Sequence, residues 1–226
     1  MWRMVKKKKN KTRERIVSVL LFALAGGLIL YGAFSILVPY IKYEKETKAN
    51  SEEVSAFLNS LPEASAEAES SDLPISLPGG TGYTVEDIAG QVVGILTAPS
   101  VDVQAPVAMG TDTDTLNRFA GMFEEYDLPG TPGGNTVIAS HSSRYDYFCS
   151  YCYFQNVGNL KTGDEVDLLW KDGNTYRYQV YDVKLNQSPE DMTPFERAEG
   201  KEILTLQTCT DGVHGTRTFV HCERIS

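Results

Sequence analysis

The longest uncharged stretch of the sequence most strongly limits how the chain can fold. Residues 16–41 read IVSVLLFALAGGLILYGAFSILVPYI and contain no charged side chain. About 20 apolar residues suffice for a helix to cross a bilayer, and Gly26, Gly27 and Gly32 are tolerated in membrane spans. We therefore predict a transmembrane helix over residues 16–41. A cleaved signal peptide is the alternative, but its apolar core would be shorter, and no small-residue cleavage site is obvious after Tyr40.

The charges on either side of this segment predict its orientation. Residues 1–15 hold eight Lys/Arg and one acidic residue, and the other residues hold 13 Lys/Arg and 29 Asp/Glu. By the positive-inside rule, residues 1–15 form a cytoplasmic tail and the C-terminal body lies outside the cell. Because that body carries a net charge of −16, nucleic acid is excluded as a partner: phosphate binding requires a basic face.

The region after the apolar run changes composition twice. Residues 42–60 are charged and are expected to extend the helix as an amphipathic stalk, whereas residues 62–82 are rich in Pro, Ser, Ala, Glu and Gly. Such a composition cannot bury enough apolar surface to fold, so it predicts a flexible linker. We therefore assign residues 42–82 to a stalk and linker and residues 83–226 to one globular domain.

Short apolar runs separated by turn residues predict a domain built mostly of strands. One helix is expected over Asp112–Phe123, with Leu116, Phe119 and Phe123 at helical spacing. Many short strands with few helices indicate a mixed β-barrel or a sandwich. The predicted strands are Gln91–Thr97, Val101–Val107, Asn135–Ser140, Glu165–Trp170, Thr175–Val183, Ile203–Thr208 and Arg217–Ile225.

Two chemically capable residues follow directly on apolar strands. Cys209 ends the run ILTLQTC, and His141 follows NTVIAS. A residue at the end of a buried strand is held firmly and can still reach solvent, which suits a nucleophile or a general acid and base. The alternatives are a buried structural cysteine and a surface histidine. His214, in a loop, and His221, on the last strand, are the remaining histidines.

An arginine completes this constellation if the last two strands pair. Arg217 opens the last strand, eight residues after Cys209. A guanidinium opposite a thiol could hold a substrate or stabilise an oxyanion. An exposed cation at a strand end is the alternative. Arg224 is a further candidate, but it lies seven residues along the same strand.

Three segments together resemble the sortase family. TLQTC at 205–209 resembles the sortase T-L-x-T-C signature, and NTVIASH at 135–141 is similar to N-x-x-I-A-G-H, with Ser140 where glycine is usual. TRTFVHCERI at 216–225 resembles the strand that carries the catalytic arginine, which assigns that role to Arg217. The resemblance covers about residues 91–225 in the right order and includes the anchor topology.

The resemblance implies an eight-stranded sortase-type β-barrel with short helices and a transpeptidase activity. By this analogy, Cys209 attacks the Thr carbonyl of a Leu-Pro-x-Thr-Gly-like sorting signal and forms a thioester. An amine of a peptidoglycan precursor or a pilin lysine then accepts the acyl group, with His141 transferring protons and Arg217 positioning the signal. Thr208 and Ala139 are the implied substrate-binding residues. No cofactor or metal is expected.

Two features depart from the family pattern or leave alternatives open. Cys149 and Cys152 form a C-x-x-C pair, for which a loop-stiffening disulfide is favoured over half of a zinc site with His221 or Cys222, or a thioredoxin-like redox motif. Cys222 follows the alternation of the last strand and is expected in the core. The acidic residues Glu124, Glu125 and Asp127 indicate a solvated loop, with a calcium pocket as the alternative.

Two other functions remain compatible with the same sequence. A cysteine hydrolase would use the same residues and transfer the acyl group to water. A non-enzymatic binding module on a stalk would need no reactive thiol.

Overall fold

The fold is described from a computed structural model, which covers residues 11–62, 88–142, 149–210 and 215–226. The predicted cytoplasmic tail up to residue 10, the linker from residue 63 and His214 lie outside the described residues. The chain divides into two compact units, residues 1–45 and residues 46–226.

The first unit is dominated by a single long helix, α1. This helix runs over Lys11–Ser60 and contains the predicted membrane span. It is long and apolar enough to cross a membrane, judged by length and composition. Its apolar side chains, including Leu20, Phe22 and Leu30, are exposed. Such a helix is suited to the hydrocarbon core of a membrane. Its outer surface is apolar, and its backbone hydrogen bonds are satisfied within the helix.

The second unit contains a closed β-barrel. Among the described residues, eight strands follow one another around the barrel in the order β1-β2-β3-β4-β7-β8-β6-β5. The pairs β2–β3 and β4–β7 are parallel, and the other neighbours are antiparallel. The strands are β1 Val92–Ala98, β2 Val103–Met109, β3 Ala120–Met122, β4 Asn135–Ala139, β5 Glu165–Trp170, β6 Thr175–Gln187, β7 Ile203–Cys209 and β8 Arg217–Arg224. The prediction of an eight-stranded sortase-type barrel is thereby confirmed.

Alternating side chains fill the barrel interior. On β6, Tyr176, Tyr178 and Val180 are buried, whereas the residues between them are exposed, which is the period-two pattern of a strand with one solvated face. Strand β7 is buried on both faces over most of its length, because the β6–β7 connection covers its outer side. The core includes Leu96, Val107, Met109, Ile138, Phe154, Leu168, Leu204, Leu206 and Val220.

The predicted helix over Asp112–Phe123 is wrong in its second half. A four-residue helix, α2, runs over Thr113–Leu116. Asp112 caps it, because its Oδ1 accepts hydrogen bonds from the backbone amides of Asp114 and Thr115. Strand β3 then pairs with β2 and β4. Tertiary pairing overrides helical spacing here, and a Cβ at Gly121 would collide with the Gly110 carbonyl, so only glycine allows this approach.

The last turns of α1 belong to the same compact unit as the barrel. Asn50 is buried and donates from Nδ2 to the Arg118 carbonyl over 2.9 Å. Glu53 forms an ion pair with the Arg118 side chain, and Phe57 is only 6% exposed. Residues 46–60, assigned to the stalk from sequence, therefore pack against the barrel.

Candidate active site

Cys209 and Arg217 face each other across the last two strands. The β7–β8 pairing places Cys209 opposite Arg217 in register, and Nη1 of Arg217 lies 3.6 Å from the Cys209 sulfur. The same nitrogen donates to the Gly215 carbonyl at 2.9 Å, which helps to fix the guanidinium. Both side chains are half-buried. A guanidinium this close to the sulfur can donate hydrogen bonds to an oxyanion that forms at the carbonyl under attack.

His141 reaches the same end of the barrel from β4. Strand β4 runs parallel to β7, and Ala139 lies opposite Gln207. His141 and Cys209 each follow two residues later, so both lie at the same end of this strand pair. Two hydrogen bonds connect the segments that follow the last paired residues, Ala139 and Gln207. They run from the Ser140 amide to the Gln207 carbonyl at 3.2 Å and from Thr208 Oγ1 to the Ser140 carbonyl at 2.8 Å.

The surroundings of His141 come from the loop that precedes β5. The His141 carbonyl accepts a hydrogen bond from the Phe154 amide at 3.1 Å. The Tyr151 ring meets the imidazole edge to face, with 5.7 Å between ring centres. The imidazole is half-buried. The three predicted catalytic residues thus lie at the same end of three adjacent strands, β4, β7 and β8.

The two predicted substrate-binding residues differ in their surroundings. Thr208 is buried, and its hydroxyl donates a hydrogen bond to the Ser140 carbonyl. Ala139 is 9% exposed and pairs with Gln207. Contact of either residue with substrate stays a prediction. Thr208 has a structural role as well, because its hydrogen bond fixes the chain immediately before His141.

His221 lies apart from this end of the barrel. It is buried, and its Nε2 lies 3.1 Å from the Pro194 carbonyl. Its Nδ1 lies 3.5 Å from an Asp182 carboxylate oxygen without forming a hydrogen bond. Burial is the main influence on the His221 pKa and lowers it below the usual value, with Lys184 acting in the same direction and Asp182 opposing it. His221 is therefore a buried sheet residue, in agreement with the sequence interpretation.

The four cysteines divide into a disulfide and two free thiols. Cys149 and Cys152 form a disulfide, whereas Cys209 and Cys222 are free. Cys222 is completely buried, and burial raises its pKa far above the usual value. The disulfide uses both sulfurs of the proposed half zinc site, so that alternative is wrong. Within the part of the chain that the structure describes, no group of three or more His, Cys, Asp or Glu side chains could hold a metal ion.

The acidic residues considered for calcium are partly engaged elsewhere. The Asp127 carboxylate forms an ion pair with Arg197 and accepts a hydrogen bond from the Asn135 amide at 2.9 Å. This carboxylate therefore fixes the turn before β4 and connects it to the β6–β7 connection.

Two residues near the site carried no chemical signal in the sequence. Tyr151 contacts His141, and its position between the two cysteines of the C-x-x-C pair was the only hint. Gln207 lies two residues before Cys209 on β7, and its side-chain oxygen is buried without a hydrogen-bond partner. A strand-alternation argument places Gln207 on the same face as Cys209, but nothing in the sequence predicts an unpaired oxygen.

The fold and this end of the barrel define a β-barrel protein with a strand-end thiol, the arrangement expected of a thiol-dependent acyltransferase. The sortase domain family model matches residues 96–225, which is more than half of the chain. The chain therefore belongs to the sortase family, whose members are cysteine transpeptidases. The family assignment made from TLQTC, NTVIASH and TRTFVHCERI is confirmed.

Individual relatives support the same assignment. Sortase D of Bacillus subtilis strain 168 is 27% identical over 191 residues, covering 84% of this chain and 86% of that protein. Sortase A of Streptococcus agalactiae serotype III is 30% identical over 132 residues, covering 58% of this chain and 52% of that protein. The crystal structure of sortase C-1 from Actinomyces oris matches with a TM-score of 0.55 and 31% identity, covering 62% of this chain and 77% of that chain.

Proposed function

We propose that this sortase is a membrane-anchored transpeptidase that cleaves an LPxTG-like sorting signal and transfers the acyl group to an amine. The observation that carries the proposal is the 3.6 Å approach of Arg217 to the Cys209 sulfur at the strand ends beside His141. The acceptor is an amine of a peptidoglycan precursor or of a pilin lysine, and no nucleic acid takes part.

The reaction is a double displacement at one carbonyl carbon. The Cys209 thiolate attacks the Thr carbonyl, and the tetrahedral intermediate collapses to a thioester as the carbon–nitrogen bond breaks. His141 gives a proton to the leaving amine. The incoming amine then attacks the thioester carbonyl and loses a proton to His141, and the carbon–sulfur bond breaks to release the Cys209 thiolate. Arg217 donates hydrogen bonds to the oxyanion, which exists only at the tetrahedral stage. The thioester conserves the energy of the original amide, so no nucleotide is required.

The N-terminal helix supports a location of the enzyme at the cell membrane. Helix α1 fits a membrane anchor, and the basic residues 1–15 are expected to stay in the cytoplasm. The barrel then lies outside the cell, where both surface-protein substrates and cell-wall amines are found. A disulfide at Cys149–Cys152 is compatible with an oxidising, extracytoplasmic environment.

The test uses the full-length protein in detergent with a labelled LPxTG-containing peptide and a labelled amine. We expect a peptide–amine product and a trapped thioester in the native protein, and neither in Cys209→Ala or His141→Ala. His221→Ala serves as the histidine control and should retain transfer. Retained transfer in Cys209→Ala would refute the proposal, and product formed only with water would favour the cysteine hydrolase instead.

Arg217 has its own matched comparison. Arg217→Lys keeps the charge but loses the planar donor pair, so we expect kcat/KM to fall by roughly 100-fold, as when an oxyanion donor is removed. Arg177→Lys is the control, because Arg177 is an exposed strand arginine paired with Asp167 outside the site. Equal activity of the two variants would remove Arg217 from the mechanism.

A further inference from the structure

We infer that Tyr151, held by the Cys149–Cys152 disulfide, is a positioning residue for His141. The inference rests on the proposed function, because it assumes that the His141 imidazole transfers protons. It concerns the loop before β5, which carries a C-x-x-C pair that the sortase-like segments do not include.

The side chains of Tyr151 and His141 are in ring-to-ring contact. Tyr151 and His141 are 5.7 Å apart between ring centres, with their planes inclined by 65°. This is the edge-to-face geometry that aromatic pairs prefer at separations of roughly 4.5–7 Å. Such a contact restricts rotation of the imidazole about its bond to Cβ. A proton-transferring ring needs this restriction because its nitrogen must point at the reacting atom.

Hydrogen bonds also connect the Tyr151 loop to the backbone around His141. Ser140 Oγ donates to the Tyr151 carbonyl at 3.3 Å, and the Phe154 amide donates to the His141 carbonyl at 3.1 Å. Phe154 is fully buried in the barrel core. The loop is therefore tied to the His141 segment on both sides of the ring contact.

The disulfide cross-links the residues on either side of Tyr151. Cys149 and Cys152 close a small ring that contains only Ser150 and Tyr151, in a turn without helix or strand. Ser150 Oγ also donates to Glu46 of α1 at 3.2 Å. Loops are usually the more mobile parts of a fold, and a cross-link removes backbone freedom from such a segment. The disulfide therefore supplies the rigidity that a loop side chain needs to orient a catalytic ring.

The test compares variants of the full-length protein in detergent. Tyr151→Phe keeps the ring, Tyr151→Leu removes it, and Cys149→Ser combined with Cys152→Ser removes the cross-link. We expect Tyr151→Leu and the double serine variant to lose about 10- to 100-fold in kcat, the loss expected when a catalytic group is misplaced by about 1 Å. KM should change little, and the pH profile of kcat should shift. Tyr151→Phe should match the native protein in kcat, in KM and in the pH profile of kcat.

A reductant provides a second arm that needs no substitution. Tris(2-carboxyethyl)phosphine reduces the disulfide to two thiols and is itself oxidised to the phosphine oxide, with the oxygen and both protons supplied by water. Cys209 remains a thiol throughout. We expect the reductant to lower kcat of the native protein to that of the double serine variant and to leave that variant unchanged.

The outcomes separate this inference from the proposed function. Native kcat and pH profile in the folded double serine variant and in the reduced native protein would overturn the role of the disulfide. A loss in Tyr151→Phe as large as that in Tyr151→Leu would overturn the role of the ring. If His141→Ala keeps its activity, the proposed function fails, whereas an inactive His141→Ala beside fully active loop variants refutes this inference alone.

Discussion

Two free thiols in this chain show how position within a strand determines the chemistry of a residue. Cys209 is half-buried at the end of β7, beside the Arg217 guanidinium. Cys222 points into the barrel on β8, where it is completely buried and its pKa is raised by desolvation. The same side chain is thus a candidate nucleophile in one place and a small apolar core residue in the other.

Thiol labelling of the native protein should therefore be selective. We predict that iodoacetamide alkylates Cys209 ~100-fold or more faster than Cys222, because reaction at Cys222 requires the core to open and requires the thiolate. Mass spectrometry of digested protein measures both rates. Denaturation in urea is the control and should make the two thiols react at similar rates. Equal rates in the folded protein would contradict the burial of Cys222.

His221 illustrates a buried titratable residue with no part in the proposed chemistry. Burial lowers its pKa below 6.5, despite the nearby Asp182 carboxylate. The unfolded chain then binds a proton at a higher pH than the folded chain. The stability associated with the neutral ring is fully present above about pH 6.5 and is lost as the pH falls toward the lower folded pKa.

The corresponding measurement is the free energy of unfolding between pH 7.5 and pH 5.5. We predict that it falls with decreasing pH in the native protein and falls less in His221→Gln. Glutamine does not titrate, and its side-chain amide can still donate to the Pro194 carbonyl. The difference between the two proteins isolates His221 from the carboxylates, which titrate at lower pH. Parallel curves would show that His221 is not held neutral in the fold.

At the scale of the elements, the residues shared with the sortase motifs have structural as well as chemical roles. Asn135 opens β4 and Thr205 lies on β7, and both are buried. Thr205 Oγ1 donates to Asn135 Oδ1 at 2.8 Å, and Asn135 Nδ2 donates to the Glu196 carbonyl at 3.2 Å. The Pro194 carbonyl lies within 3.4 Å of donors from both side chains. These bonds fix the β6–β7 connection across the outer face of β4 and β7.

Removing one of these donors should destabilise the barrel without changing its shape. We predict that Thr205→Val costs about 1–3 kcal/mol of unfolding free energy, because it leaves buried Asn135 Oδ1 without this donor. Thr175→Val is the matched control at the exposed start of β6. Urea unfolding measures both, and the dependence on urea concentration should stay constant. An equal effect of the two variants would contradict the structural role of Thr205.

The strands with a clear apolar pattern could be predicted from sequence, and the short pairing strand could not. Strands β5, β6, β7 and β8 begin where the sequence places them, because burial of alternate or continuous side chains marks them. The three residues of β3 fall within apparent helical spacing, and only the neighbouring β2 and β4 make them a strand. Closure of the barrel is likewise a long-range property that no local pattern contains.

The residues of the candidate site also divide into those marked by local sequence and those placed by long-range contacts. Cys209, His141 and Arg217 could be found because each lies at a strand end within a recognisable segment. Tyr151 could not be found, since its contact with His141 joins two residues ten positions apart in the sequence and depends on tertiary packing. Local sequence predicts which residues have suitable chemistry, whereas the neighbours that orient them depend on tertiary packing.

At the scale of the whole molecule, the compact catalytic unit begins well before the barrel. Residues 46–60 of α1 contact it through Asn50 and Phe57 and through the pair formed by Glu53 and Arg118. The Arg118 carbonyl also accepts a hydrogen bond from Tyr153 in the disulfide loop at 3.1 Å. The helix end and the loop that contacts His141 are therefore bound to the same backbone group, which makes residues 46–60 part of the folded unit.

Loss of the central apolar contact should release the helix end from the barrel. Phe57 is 6% exposed, whereas its neighbour Leu58 is 46% exposed. We predict that Phe57→Ala costs about 3 kcal/mol at this contact, the lower end of values for removing a buried phenylalanine, and that Leu58→Ala has little effect. Hydrogen exchange of the full-length protein in detergent measures the difference. Amides of residues 46–60 should lose protection in Phe57→Ala and keep it in Leu58→Ala, because both helices retain the same backbone bonds and only one retains the packing. Unchanged protection in Phe57→Ala would mean that the helix is stable there without the barrel.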